Sequence, residues 1–68
     1  MTDRPIGDFE IARAMARFGG SFARALGITA QYADPTNLAK LKAAFPELWK
    51  EYAEVALLRR REAEKDQS

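Results

Sequence analysis

Ala33-Asp34-Pro35-Thr36-Asn37-Leu38-Ala39-Lys40-Leu41-Lys42-Ala43-Ala44-Phe45-Pro46-Glu47 is the stretch on which the fold turns. Two prolines bracket one short helical pattern. Asp34 is a good helix cap, and Pro35 suits the first helical position, where its missing N–H costs nothing. Leu38, Leu41 and Phe45 follow at spacings of three and four, which puts them on one face. Phe45 precedes Pro46, and the proline ring pushes the residue before it out of the helical region. The chain must therefore bend sharply and start again. These features predict a short helix over about 35–45 and a new one from Pro46.

Upstream, Gly19-Gly20 and Ser21 mark the boundary between two further helices, over about 8–18 and 21–33. Glycine ends a helix by tolerating positive φ, and serine caps the next one. In the first helix Asp8 reads as the N-cap, and Glu10 in the first turn is favoured by the helix dipole. Ile11, Met15 and Phe18 share the inner face, with Arg13 and Arg17 opposite. Ala12 and Ala16 let another helix approach closely. In the second helix Phe22, Leu26, Thr29 and Ala33 form the expected inner face, flanked by Ala25 and Tyr32. Gly27 costs about 1 kcal/mol relative to alanine there, so it either permits close packing or marks a break.

Downstream, a long helix is predicted over about 46–65. Leu48, Trp49, Tyr52, Ala53, Val55 and Ala56 fall on one broad stripe, with Glu47, Lys50, Glu51 and Glu54 opposite. Leu58 lies on the charged side. Arg59 and Arg60 occupy the angular positions where the apolar stripe would continue. The core is thus expected to stop near Leu57, with the last two turns projecting past it, held helical weakly by pairs such as Arg60–Glu64. With no strand-like alternation and no internal repeat, the fold class is all-α, a compact bundle of three to four helices in a single domain. Residues 1–7 and 66–68 are expected to be flexible.

Composition narrows what such a domain does. A chain of 68 residues buries only about 60% of the surface it exposes when unfolded, and small domains usually need a further stabiliser. This one contains no cysteine and no histidine, which removes disulfides and nearly all structural zinc sites. Helix packing or self-association must supply the difference, and a two-fold homodimer is the commonest closed arrangement. Ile28 and Leu58, apolar residues on otherwise polar faces, fit such an assembly. Net charge is only +1, from 11 basic and 10 acidic side chains, less basic than a nucleic-acid binder normally is. The longest apolar stretch, Val55-Ala56-Leu57-Leu58, is far short of the roughly 18 residues of a membrane span. The lack of a signal peptide points to the cytoplasm.

Enzyme chemistry needs an acid, a base or a nucleophile held in a pocket. Without histidine and cysteine the carboxylates remain, and Glu47, Glu51 and Glu54 read as a solvated face rather than a reactive cluster. No catalytic residue, cofactor or metal is expected. The function left is binding to another protein through a helical surface. Tyrosine is a typical interface anchor, and the candidate contacts are Tyr32, Tyr52, Leu58, Arg59, Arg60 and Arg61. Phe22, Phe45 and Trp49 are assigned to the core.

Two alternatives use the remaining basic residues. Ala23 to Thr29 (Ala-Arg-Ala-Leu-Gly-Ile-Thr) looks like the first helix and turn of a helix-turn-helix, which would make the protein a DNA-binding regulator. The start of the second helix at Gly20 and Ser21, flanked by Arg17 and Arg24, is a possible nucleotide or anion site, because free N–H groups there attract phosphate. Arg13, Arg17, Gly20, Ser21 and Arg24 are the candidates for nucleic-acid or anion binding.

The pattern Phe18-Gly-Gly-Ser-Phe22, Ala25-Leu26-Gly27, Ala33-Asp34-Pro35 with Asn37-Leu38, and Lys42-Ala43-Ala44-Phe45-Pro46-Glu47 with Trp49 and Tyr52 resembles small uncharacterised proteins of bacteriophages and prophages. The resemblance covers about residues 11 to 53. It implies no established activity, but it implies a mobile-element setting. Short phage proteins of this kind often bind host or phage machinery, as inhibitors or adaptors.

Overall fold

The computed structural model describes residues 5–66, and of residues 64–66 the backbone alone. The expectations for residues 1–4 and 67–68 lie outside the described residues. Four helices follow one another: α1 (Asp8–Phe18), α2 (Ser21–Tyr32), α3 (Pro35–Ala44) and α4 (Pro46–Asp66). The protein is an all-α bundle, and every helix boundary falls within one residue of the sequence expectation.

The two proline signals act as predicted. Asp34 Oδ1 accepts the Asn37 N–H at 2.8 Å, with Pro35 at the first helical position. Phe45 sits at φ −130°, ψ 57°, outside the helical region, and α4 starts at Pro46. The other caps differ from expectation. Gly7, not Asp8, is the N-cap of α1, and its N–H donates to Glu10 Oε1 at 3.1 Å. That leaves the Asp8 carboxylate free to reach across the bundle, where it accepts Lys42 Nζ at 3.0 Å and Trp49 Nε1 at 3.2 Å. The buried indole thus has its polar end satisfied. Gly20, not Ser21, is the N-cap of α2, and no side chain caps that helix.

The α1–α2 corner corrects a second expectation. Neither glycine there has positive φ: Gly19 lies at −81° and Gly20 at −73°. Gly19 is needed for space instead. A Cβ on it would stand 2.6 Å from the Met15 carbonyl oxygen and 2.7 Å from Ala23 Cβ, whereas one on Gly20 would meet nothing within 4 Å.

Helix α1 is the centre of the fold, packed against α2 on one side and α4 on the other. The buried cluster comprises Ile11, Ala12, Ala14 and Met15 from α1, Ala23, Leu26 and Ala30 from α2, and Trp49, Tyr52 and Ala56 from α4. Half of these are alanines, so the helices are held by close approach rather than by bulk. The α2 face is a correction. Its buried residues are Ala23, Leu26, Gly27 and Ala30, whereas Phe22 and Thr29 are exposed. The helical period is the one expected, but the face is turned by roughly 80° at 3.6 residues per turn. Gly27 is the reason. A Cβ on it would fall 2.5 Å from the Ala12 carbonyl oxygen and 2.6 Å from the Ala16 nitrogen. The glycine therefore marks close packing, not a break, and it draws the small side of α2 onto α1.

The aromatic rings displaced by this rotation find other places. Phe22 packs edge-on against Phe45, with centroids 5.4 Å apart and planes at 65°, while 61% of its surface stays exposed. Phe18, expected inside, is 41% exposed at the end of α1. Leu38, Leu41 and Phe45 lean on the core as expected, but α3 itself has no fully buried residue. Ile6, in the segment expected to be loose, also packs against the cluster.

Candidate functional site

Helix α4 is about 31 Å long at 1.5 Å per residue, and its C-terminal half runs past the apolar core. After Ala56 the stripe that faces α1 carries Arg59 and Arg60, as the helical period requires. Arg59 stays more than half exposed, whereas Arg60 turns inward. The Arg60 side chain is only 11% exposed, and its Nη2 donates to Glu10 at 2.9 and 3.1 Å. The pairing expected within the helix, Arg60 with Glu64, involves a side chain outside the described residues; among the described ones Arg60 pairs across the bundle with Glu10 of α1. A partly buried guanidinium gains orientation as well as attraction from two N–H donors aimed at one carboxylate.

This pair forms one end of an open groove of about 580 Å³ between α1 and α4. Arg13, Arg17 and Phe18 line the α1 side; Arg59, Glu62 and Ala63 line the α4 side; Ala14 and Ala56 lie at the bottom. The Phe18 ring is the fixed element around which the cations gather. Its centroid is 4.3 Å from the Arg59 guanidinium carbon and 5.7 Å from that of Arg17. Each such contact is worth about 0.5–1 kcal/mol at an exposed site, enough to bias the rotamers of two long side chains. Arg59 Nη1 also donates to Glu62 Oε1 at 3.2 Å, in a pair more than half exposed on both sides. A pair of that kind is worth about 0–1 kcal/mol and is easily exchanged.

A second cleft, of about 550 Å³, lies between α2 and α3. Ile28, Tyr32, Ala33 and Leu41 supply its apolar lining, and Asn37 and Lys40 its polar rim. Tyr32 is 87% exposed and Ile28 47%. Beside the first groove this one is mostly apolar, with a single cation.

The candidate residues divide accordingly. The groove unites two clusters that are remote in the sequence, Arg13 with Arg17 and Arg59 with Arg60. Arg61 is exposed but outside the lining, and Leu58, 57% exposed, points away from the core on the outer face of α4. Tyr32 belongs to the second cleft. Tyr52 is a correction: at 9% exposure it is part of the buried cluster and is removed from the contact residues, because its position on α4 faces α1. Arg24, Gly20 and Ser21 are exposed and lie in neither groove. The first helix and turn that the helix-turn-helix alternative placed within Ala23 to Thr29 are also a correction. Helix α2 runs unbroken to Tyr32, because Gly27 is buried against α1, and the connection to α3 comes only at Ala33-Asp34. The residues that line the groove without having been singled out are Glu10, Ala14, Phe18, Ala56, Glu62 and Ala63. Of these, Phe18 has a readable signal, since it ends its helix directly after Arg17, beside the apolar face.

Among the described residues there is no group of three or more acidic, histidine or cysteine side chains arranged to hold a metal ion. No described helix is long and apolar enough to cross a membrane. Comparisons with protein-family models, with curated proteins and with solved structures give no match.

Proposed function

We propose that this chain is a non-enzymatic protein-binding module, acting as an inhibitor or adaptor of a host or phage protein through the helical surface that carries the α1–α4 groove. The observation that carries this reading is the packing of Arg17 and Arg59 against the partly exposed ring of Phe18, with Arg13 lining the same groove. Arginine and aromatic residues are the side chains that dominate protein interfaces energetically. Here they sit at an open groove beside a packed core, and the Phe18 ring restricts the rotamers of Arg17 and Arg59. The resemblance of residues 11 to 53 to small phage and prophage proteins supports the setting by analogy alone.

Affinity capture from a bacterial lysate tests the reading, with the wild-type chain and a Phe18→Ala, Arg59→Ala variant used side by side. A protein retained by the first and lost by the second is the expected result. Retention of the same proteins by both, or of none by either, removes this face from the proposal. We further propose that the protein pairs as a homodimer, for which the exposed Leu58 on α4 and Ile28 on α2 are the support. Sedimentation equilibrium at micromolar concentration decides this, and a monomer throughout would end the dimer reading.

A further inference from the structure

We infer that the α1–α4 groove takes an acidic peptide segment of the partner, with carboxylates on Arg13 and Arg17 and an apolar side chain against Phe18 and the alanine floor. The inference rests on the protein-binding reading above and specifies its chemistry. Its basis is an imbalance of charge. Among the described residues, four arginines and two glutamates line the groove. Arg60 is held by Glu10 and Arg59 by Glu62. Among the described residues, neither Arg13 nor Arg17 has a carboxylate within ion-pair distance. Both side chains are exposed and stand one helical turn apart on α1. Successive acidic residues on one face of a helical segment have the same spacing, so two carboxylates of such a segment can meet two guanidiniums at once. Arginine receives a carboxylate through paired N–H donors, which adds orientation to attraction.

The same lining disfavours a nucleic acid. Glu10 and Glu62 would face the phosphates, and the two arginines without carboxylates are far fewer than the 6–10 phosphate contacts on which a strongly salt-dependent DNA complex rests. Stacking of a base would have to use Phe18, whose ring is already covered by the Arg59 guanidinium at 4.3 Å. An apolar side chain needs only the ring edge and the methyl groups of Ala14 and Ala56.

The test is a titration of isotope-labelled protein with a short end-capped peptide rich in Glu and Leu, followed by NMR at low salt. Its Lys-for-Glu counterpart and a thymine oligonucleotide serve as competing probes. Expected are shifts at Arg13, Arg17, Phe18 and Arg59 with the acidic peptide, no shifts there with the basic one, and affinity about tenfold lower in Arg13→Glu, Arg17→Glu, with the fold checked by circular dichroism. Shifts elsewhere, equal affinity in the charge-reversed variant, or no shifts at all would overturn the inference. Tighter binding of the oligonucleotide than of the acidic peptide would replace it with a nucleic-acid site. A lysate protein captured through Phe18 and Arg59, but indifferent to charge reversal at Arg13 and Arg17, would leave the module intact and sink this inference alone.

Discussion

The two sides of α1 are built in opposite ways. Toward α2 the contacts are made by glycine and alanine, and the backbones come so close that a single added methyl group has no room at Gly27. Toward the C-terminal half of α4 the contacts are made by arginine, glutamate and phenylalanine, and a groove of about 580 Å³ remains between them. Short side chains fix two helices at one separation because nothing in them can adjust. Long ones hold their helices through charged and aromatic tips and leave an open groove between the backbones. One side of the helix is therefore committed to stability, and the other is left available for contact.

The largest effect should come from the residue that both sides share. Met15 is fully buried, and Met15→Ala should cost about 2–5 kcal/mol. In a domain this small that is a large part of the total, and urea titration should show a much lower midpoint or no folded baseline. A midpoint near wild type would mean that Met15 does not fill the core between α1 and its neighbours. Next comes the tight side. Gly27→Ala gains about 1 kcal/mol in helix propensity, yet overpacking against the Ala12 and Ala16 backbone should outweigh it and leave a net loss of about 1–3 kcal/mol. A thermal scan in which the variant is more stable than wild type would falsify the close approach.

On the open side, among the described residues, the Glu10–Arg60 pair is the tie with a strongly buried partner. Arg60→Ala should cost about 1–2 kcal/mol, discounted for the exposure of Glu10. A double-mutant cycle with Glu10→Gln should return a coupling of similar size; additive losses would break the assigned pairing. The smallest expected effects separate two adjacent glycines. Gly19→Ala should lose about 1 kcal/mol through its clash with the Met15 carbonyl and Ala23. Gly20→Ala should be neutral or gain up to about 1 kcal/mol, since its conformation suits any residue and its surroundings are open. Equal behaviour of the pair would return the corner to the usual account in terms of backbone freedom.

Much of this was readable before any coordinates. Asp34-Pro35 and Phe45-Pro46 placed α3 and the start of α4 correctly because proline constrains its own residue and the one before it, whatever the tertiary context. The groove was legible only in halves. Arg13 with Arg17 and Arg59 with Arg60 each formed a visible cluster, and Arg59 and Arg60 were placed on the continuation of the apolar stripe. That the two clusters face each other, and that Arg60 turns inward to Glu10, depends on how α1 and α4 cross. The face that α2 buries departs from the sequence expectation for a related reason. Hydrophobicity favours burying Phe22, whereas the bundle buries Ala23, Gly27 and Ala30, because close contact along a whole seam outweighs one aromatic ring.

By itself, then, the order of residues determined the number of helices, their ends and the period along each, since caps, prolines and spacing act over a few neighbouring positions. Which face of α2 turns inward, why Gly19 must be glycine, and the meeting of Arg13, Arg17, Phe18 and Arg59 in one groove were decided only by tertiary packing. Those outcomes depend on the distance between backbones and on the angle at which they cross, quantities that no single helix carries.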